Sequence, residues 1–183
     1  MEVVVLGWPP DGPTLRLDYR RFSYAGKFVM SNTGKAVVRD DAEATDGEYD
    51  DAVLAAVAFN DDRTDSSTLW LRYVTVRDDW RGEGLGPRLC RAVVEAAADR
   101  GYERVRIAVN NPFAYEALYR AGFAFTGEET GLAELILERP ADRPADRDAD
   151  AYRAGLDRFR ARELSVAETG FLDGRRGADP PGG

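Results

Sequence analysis

The sequence predicts an α/β (α+β) domain over residues 1–140, followed over 141–183 by a linker, a C-terminal helix and a disordered tail. Three observations carry this reading. Short apolar runs bounded by turn-forming residues recur along the chain, as strands do. A glycine-rich turn joins one of these runs to a stretch of helical periodicity. Beyond Pro140 the composition becomes polar and rich in Pro, Asp and Arg.

Taken in order, residues 3–6 and 36–39 read as strands. Between them, 15–30 sends two signals: Leu15, Leu17 and Tyr19 alternate as in a strand, whereas Phe22, Tyr24 and Phe28 suit a distorted helix. Both readings stay open. Residues 52–59 are apolar and bounded by Asp51 and Asn60-Asp61-Asp62, and 69–76 follow a polar, turn-rich connection, so the two runs form a hairpin. The chain leaves this strand at 77–81, and Gly82-Glu83-Gly84-Leu85-Gly86 leads into a helix. Pro87 stands near its first position, where a missing N–H does no harm. Leu89, Val93 and Ala97 recur at helical spacing, and Gly101 supplies the stop. Residues 104–109 alternate Val105, Ile107 and Val109 against Arg104 and Arg106, which is the period of a strand. Asn110-Asn111-Pro112 then caps a shorter helix ending near Ala121, and 123–125 and 132–137 pair across a turn at 127–131. Pro-Ala-Asp-Arg occurs at 140–143 and again at 144–147 as a polar linker. Tyr152, Leu156 and Phe159 share one helical face, which predicts a helix over 149–164; residues after about Ser165 are expected to be mobile, except where Phe171 and Leu172 pin the tail briefly, and the last ten to be disordered.

Composition narrows the chemistry. The chain of 183 residues contains no histidine and one cysteine, Cys90. An intrachain disulfide, a thiolate metal centre and every scheme built on a histidine base are therefore excluded. The formal net charge of −8 argues against a nucleic-acid binder held by phosphate contacts. Only Lys27 and Lys35 among the 25 basic residues are lysines, so the acidic character is halophile-like, or else reflects a GC-rich genome. No apolar run could span a bilayer, and the start MEVVVLGWPP has no basic leader, so a soluble cytoplasmic protein with no membrane partner is expected.

A strand, the turn Arg81-Gly82-Glu83-Gly84-Leu85-Gly86 and a helix together make an anion site, because closely spaced glycines let N–H groups converge where the helix N-terminus adds positive potential. A pyrophosphate suits it. A Rossmann turn fits less well: the spacing is GxGxG, not GxGxxG, and the next strand ends in Asn110-Asn111 instead of an acidic ribose ligand. The turn could also bind nothing.

The run from Val74 through Asp78, Asp79, Trp80 and Arg81 to Gly86 resembles motif A of the GNAT N-acetyltransferase superfamily, a hydrophobic strand, a short acidic bend and R/Q-x-x-G-x-G/A. Asn111, Ala114, Leu118 or Tyr119, and Gly122-Phe123 resemble that family's second segment, N-x-x-A…Y…GF. The resemblance covers residues 51–138. It implies a mixed, mostly antiparallel sheet whose central parallel strands splay apart, flanked by helices. It further implies acetyl-CoA as co-substrate, paired along Val74, Thr75 and Val76, with its pyrophosphate held around Arg81, Gly82, Glu83, Gly84, Leu85, Gly86 and Pro87. Pro87 donates no hydrogen, so the clasp is one bond short there. Asn111 either contacts the pantetheine or only caps its helix. The activity implied is acetyl transfer to a primary amine of a small molecule or peptide, with room for a homodimer. A non-catalytic acyl-CoA sensor is the rival reading.

Transfer needs a neutral amine and a proton for the departing thiolate. The family's tyrosine, four residues before Gly-Phe, is Leu118 here, so the acid falls to Tyr119, with Tyr115 the second choice, unless both tyrosines merely pack. Residues 69–76 contain no carboxylate to act as base; Arg72 and Thr75 are the polar members between its ends. Asp61, Asp62 and Glu116 are nearby by topology alone, and water is the expected base. Trp70, Tyr73 and Trp80 read as packing aromatics, and Cys90 as an inert core residue.

Overall fold

In the computed structural model, which describes residues 1–182, alternating apolar runs form strands at Glu2–Gly7 (β1), Gly34–Arg39 (β2), Val53–Asp61 (β3), Thr68–Val76 (β4), Arg104–Val109 (β5), Ala124–Glu129 (β6) and Leu135–Pro140 (β7). Helices cover Leu85–Asp99 (α1), Pro112–Arg120 (α2), Ala149–Arg160 (α3) and Val166–Asp173 (α4). The strands make one seven-stranded sheet in the order β1-β2-β3-β4-β5-β7-β6. Only β4 and β5 run parallel; the other neighbours are antiparallel. This is the mixed sheet with a central parallel pair that the family resemblance implied. Among the described residues no helix is long and apolar enough to cross a membrane.

The period of two along each strand divides the core between the two faces. On one, Ala36, Val38, Val57, Phe59, Leu69 and Leu71 meet Leu85, Leu89, Val93 and Ala97 of α1, with α2 and α3 continuing the same cluster. On the other, Val37, Ala56 and Ala58 are covered by Leu15, Leu17, Phe22, Ala25 and Phe28. Residues 15–30, left open above, are neither strand nor regular helix. They cross the sheet as coil ending in a short 3₁₀ helix at Ala25–Val29, because Leu15, Leu17, Phe22 and Phe28 are spent on covering this face. Lys35 anchors the exit from the crossing. It is buried, and its three donors meet the Met30 carbonyl, the Thr33 carbonyl and the Thr33 hydroxyl.

Two boundaries differ from expectation. β6 continues through Gly127 to Glu129, because Gly127 at φ 87° supports a register shift where a turn was expected. The chain after Ser165, expected to be mobile, forms α4. Ser165 and Glu168 make a reciprocal capping box, and Leu172 is buried against the main core. The Pro, Gly and Asp residues of the surrounding composition concealed that one capped turn. The C-terminal helices are tied to α2 by a polar set: Tyr152 donates its hydroxyl to Glu116 Oε2 at 2.6 Å, and Arg175 Nε lies 3.3 Å from Glu116 Oε1.

Candidate active site

The central pair separates halfway along. β4 and β5 are hydrogen-bonded from Thr68–Arg104 to Leu71–Ile107, and no further. The cause is visible on the opposite edge of β4. Ala58 of β3 faces Tyr73, while its neighbour Phe59 faces Leu71, so Arg72 is an extra residue in the ladder. Such a bulge bends its strand. Beyond it β4 stays paired with β3 through Val76 but leaves β5, so groups on that edge of residues 72–76 have no strand partner. Val74 and Val76 still pack towards α1, and buried Thr75 points to the other face, towards Ala56.

The open edge leads directly to the glycine turn. Arg77, 2% exposed, fixes the bend: Nε and Nη2 donate to the Asp79 carboxylate at 2.7 and 3.0 Å, and Nη2 also reaches Glu43 Oε2 at 3.0 Å. The same hydrogen bonds hold the Asp79 carboxyl below its ordinary value. Gly82 (φ 81°) and Gly84 (φ 78°) both adopt the left-handed conformation that side chains disfavour, and a Cβ at either would meet nothing within 4 Å. The turn therefore faces open space. Gly84 is the N-cap of α1 and provides no side-chain cap, which leaves first-turn N–H groups at Leu85 and Gly86 free for a ligand, while Pro87 has none. Leu85 is buried and pins the turn to the core; Gly86 lies against Val76. Arg81 turns towards Asp78 at 2.7 Å and Ser23 Oγ at 3.2 Å, and Glu83 is exposed.

α2 starts differently. Asn111 is its N-cap, with Oδ1 accepting the Ala114 N–H at 2.9 Å, so that oxygen is already committed. Tyr115 and Tyr119 do not present free hydroxyls. Tyr115, 0% exposed, donates to the Tyr152 carbonyl of α3 at 2.8 Å; Tyr119, 1% exposed, accepts the Phe125 N–H at 2.9 Å. Burial raises both phenol pKa values, the wrong direction for a proton donor. The reason is α3: its Gly155 presses onto Tyr115, covering the face of α2 that these tyrosines occupy. Leu118, at the family's tyrosine position, is apolar core. The three carboxylates that topology placed nearby are committed as well. Asp61 is bound by the Tyr102 hydroxyl, Asp62 by Trp70 Nε1 at 2.6 Å, and Glu116 by Tyr152 under the C-terminal helices. Cys90 is buried, its thiol pushed up to about 12 by burial.

Sequence reasoning missed the face of β4 opposite α1. There Tyr24, at φ 60°, places its ring 5.8 Å from Tyr73, and Lys27 Nζ lies 5.7 Å from the same ring. Arg72 and Thr75 were legible as the polar exceptions in an apolar strand; the bulge that assembles them with Tyr73 was not.

Comparison with known proteins bears on the fold and the family. The model of the acetyltransferase (GNAT) family matches residues 9–123. Among solved structures, a nourseothricin acetyltransferase is 18% identical, with a TM-score of 0.51 over 76% of this chain and 98% of that one. A putative GNAT-family acetyltransferase from Desulfovibrio desulfuricans is 14% identical, with a TM-score of 0.50 over 60% of this chain and 69% of that one. At such identities the likeness is one of fold. No curated protein matches the sequence. The family match nevertheless spans more than half of the chain, including the bulged strand, the glycine turn and α1, so the chain belongs to the GNAT acetyltransferase family, whose co-substrate is acetyl-CoA.

Proposed function

We propose that this protein transfers the acetyl group of acetyl-CoA to a primary amine by direct attack. One observation carries the reading: a bulged strand parts from its parallel neighbour and runs into an uncapped, glycine-lined helix N-terminus. The free edge of residues 73–76 offers N–H and C=O groups to the pantetheine arm, as to an added strand. Gly82, Gly84, Leu85 and Gly86 offer N–H groups to the pyrophosphate. Arg81, Glu83 and Pro87 shape this turn, and Asn111 contributes by starting α2 at the end of the parallel neighbour.

The acceptor nitrogen attacks the thioester carbonyl carbon. The N–C bond forms, the C–S bond breaks, and CoA leaves as the thiolate while the former amine gives its proton to water. N–H groups at the open edge stabilise the oxyanion. The face towards α1 is filled by core side chains, whereas on the other face Tyr73 is only half-buried, so the amine approaches past Tyr73. With both α2 tyrosines committed to protein partners, no tyrosine proton is assigned to the thiolate, which is a tolerable leaving group without one. The setting proposed is the cytoplasm, with neither nucleic acid nor membrane as partner.

The buried tyrosines and the absence of a carboxylate on β4 favour a second reading, an acyl-CoA sensor without turnover. One measurement separates the two: release of free CoA thiol from acetyl-CoA across a panel of amines. Transfer predicts amine-dependent release; binding of acetyl-CoA with no release from any amine would leave the sensor.

A further inference from the structure

The face of β4 from which the amine approaches has a charge opposite to that of the molecule as a whole. Leu71 and Val74 both pack towards α1, so the bulge sends the two residues between them, Arg72 and Tyr73, to the other side together. Arg72 lies over the Trp70 ring at 5.2 Å and donates to Asn60 Oδ1 at 2.6 Å. Lys27 reaches across from the covering segment to Tyr73.

Neither cation has a carboxylate within ion-pair distance among the described residues, although the chain carries 33 acidic side chains and most of its arginines are paired. Asp62 keeps its charge and acts on Arg72 through space, but its oxygens are hydrogen-bonded to Trp70 and to the Thr64 and Asp65 amides and form no ion pair with it. Crowding holds the Arg72 guanidinium below its ordinary value, and Arg63 adds a further positive charge.

Two more features lie on this face. Thr75, 4% exposed, has a buried Oγ1 with no hydrogen-bond partner, a cost that a folded protein rarely leaves standing. Tyr24 holds a left-handed backbone conformation, unfavourable for a bulky residue, with its half-exposed ring against Tyr73. Unpaired cations, an orphan hydroxyl and a strained aromatic on one strand face, beside the open edge, are the makings of a ligand site.

We propose that the acceptor is an amine bearing a carboxylate, with the carboxylate held by Arg72 and Lys27 and the amine directed past Tyr73 and Thr75 to the open edge. This names the acceptor class for the transfer reading and rests on it. Negative charge elsewhere on the molecule bears little on the choice, since exposed charges more than about 8–10 Å away are screened at physiological salt.

The test compares matched probes differing only in the carboxylate: phenylalanine with phenethylamine, and leucine with isoamylamine, each with saturating acetyl-CoA. The amino acids should be preferred at least about tenfold in kcat/KM. Arg72→Gln and Lys27→Gln should each reduce that preference severalfold, with the KM for acetyl-CoA unchanged. A preference for the decarboxylated amines, or one that survives both substitutions, overturns the proposal. If none of these four probes releases CoA, the wider amine panel decides the transfer reading, and calorimetric titration of phenylalanine into the acetyl-CoA complex decides this one. Binding that is weakened by Arg72→Gln supports it, and no binding overturns it.

Discussion

α1 and α2 each follow one of the two parallel strands and each begin at its carboxyl end, yet the two helix starts are put to opposite uses. α1 opens on Gly84 with no side-chain cap, so its first N–H groups are free and the turn before it faces open space. α2 opens on Asn111, which satisfies the Ala114 N–H, and α3 then covers the face of α2 that carries its tyrosines. The first start is built from backbone and left vacant for a ligand. The second is built from side chains that the fold consumes. A motif made of glycines thus survives almost any packing around it, whereas a motif made of a side chain depends on what later elements lay over it.

The sharpest way to break this contrast is at α3. A Cβ on Gly155 would collide with the Tyr115 hydroxyl and ring, and the position is helical, so the effect is purely steric. Gly155→Val should cost about 3 kcal/mol in denaturant unfolding through overpacking. Acetyl-CoA affinity should hold in the protein that remains folded, because the turn before α1 lies elsewhere. An unchanged unfolding midpoint would mean that α3 does not cover α2 as described.

At α1 the complementary substitution is Gly84→Val. It forces a β-branched residue to φ 78° and crowds the amides of the turn, and should weaken acetyl-CoA at least tenfold, or about 1.4 kcal/mol. Gly101 makes a matched control, since it also adopts a positive φ, 86°, with open space around it, but at the far end of the same helix. Gly101→Val should strain the backbone similarly and leave affinity unchanged. Equal losses of affinity in both would trace the effect to stability, not to the site.

The same contrast explains what the sequence could reveal. Strand and helix periodicity located β3, β4, α1, β5 and α2 to within about two residues, because each runs long enough to show its period. The glycine turn was legible because an uncapped helix start after a strand has few other uses. Less legible were features that depend on partners distant in the chain. The covering role of residues 15–30 has no period of its own, since it follows the sheet beneath it. The bulge at Arg72 appears only against β3, and the burial of Tyr115 and Tyr119 only against α3. The tail misled for a related reason: Gly, Pro and Asp suggested disorder, while the Ser165–Glu168 box and one buried leucine suffice for a short helix.

A smaller effect tests the start of α2. Asn111→Ala removes the acceptor for the Ala114 N–H and should cost about 1 kcal/mol of stability, as lost caps do. With Oδ1 already committed to the cap, acetyl-CoA affinity should stay within about twofold. A tenfold loss of affinity in a folded variant would show that Asn111 touches the co-substrate, and would make the two helix starts more alike than their caps suggest.

The smallest effect on chemistry is expected where the family pattern suggests the largest. Tyr119→Phe removes one hydroxyl whose oxygen accepts the Phe125 N–H at 2.9 Å and lies 3.5 Å from the donating Tyr115 hydroxyl. Stability should fall by about 1 kcal/mol, since a buried N–H is left without its acceptor. Turnover should change by less than about twofold, far short of the 10²–10⁴ that general acids contribute. The pH–rate profile is the readout that a structural role cannot move. A phenol whose pKa burial has already raised stays protonated through the working range, so wild type and variant should trace the same curve. Tyr115→Phe should behave alike, because its hydroxyl is spent on the Tyr152 carbonyl. A fall of a hundredfold or more in Tyr119→Phe, with the alkaline limb of the profile displaced, would mean that α3 lifts away during catalysis and frees the tyrosine, and α2 would then be a second open helix rather than a sealed one.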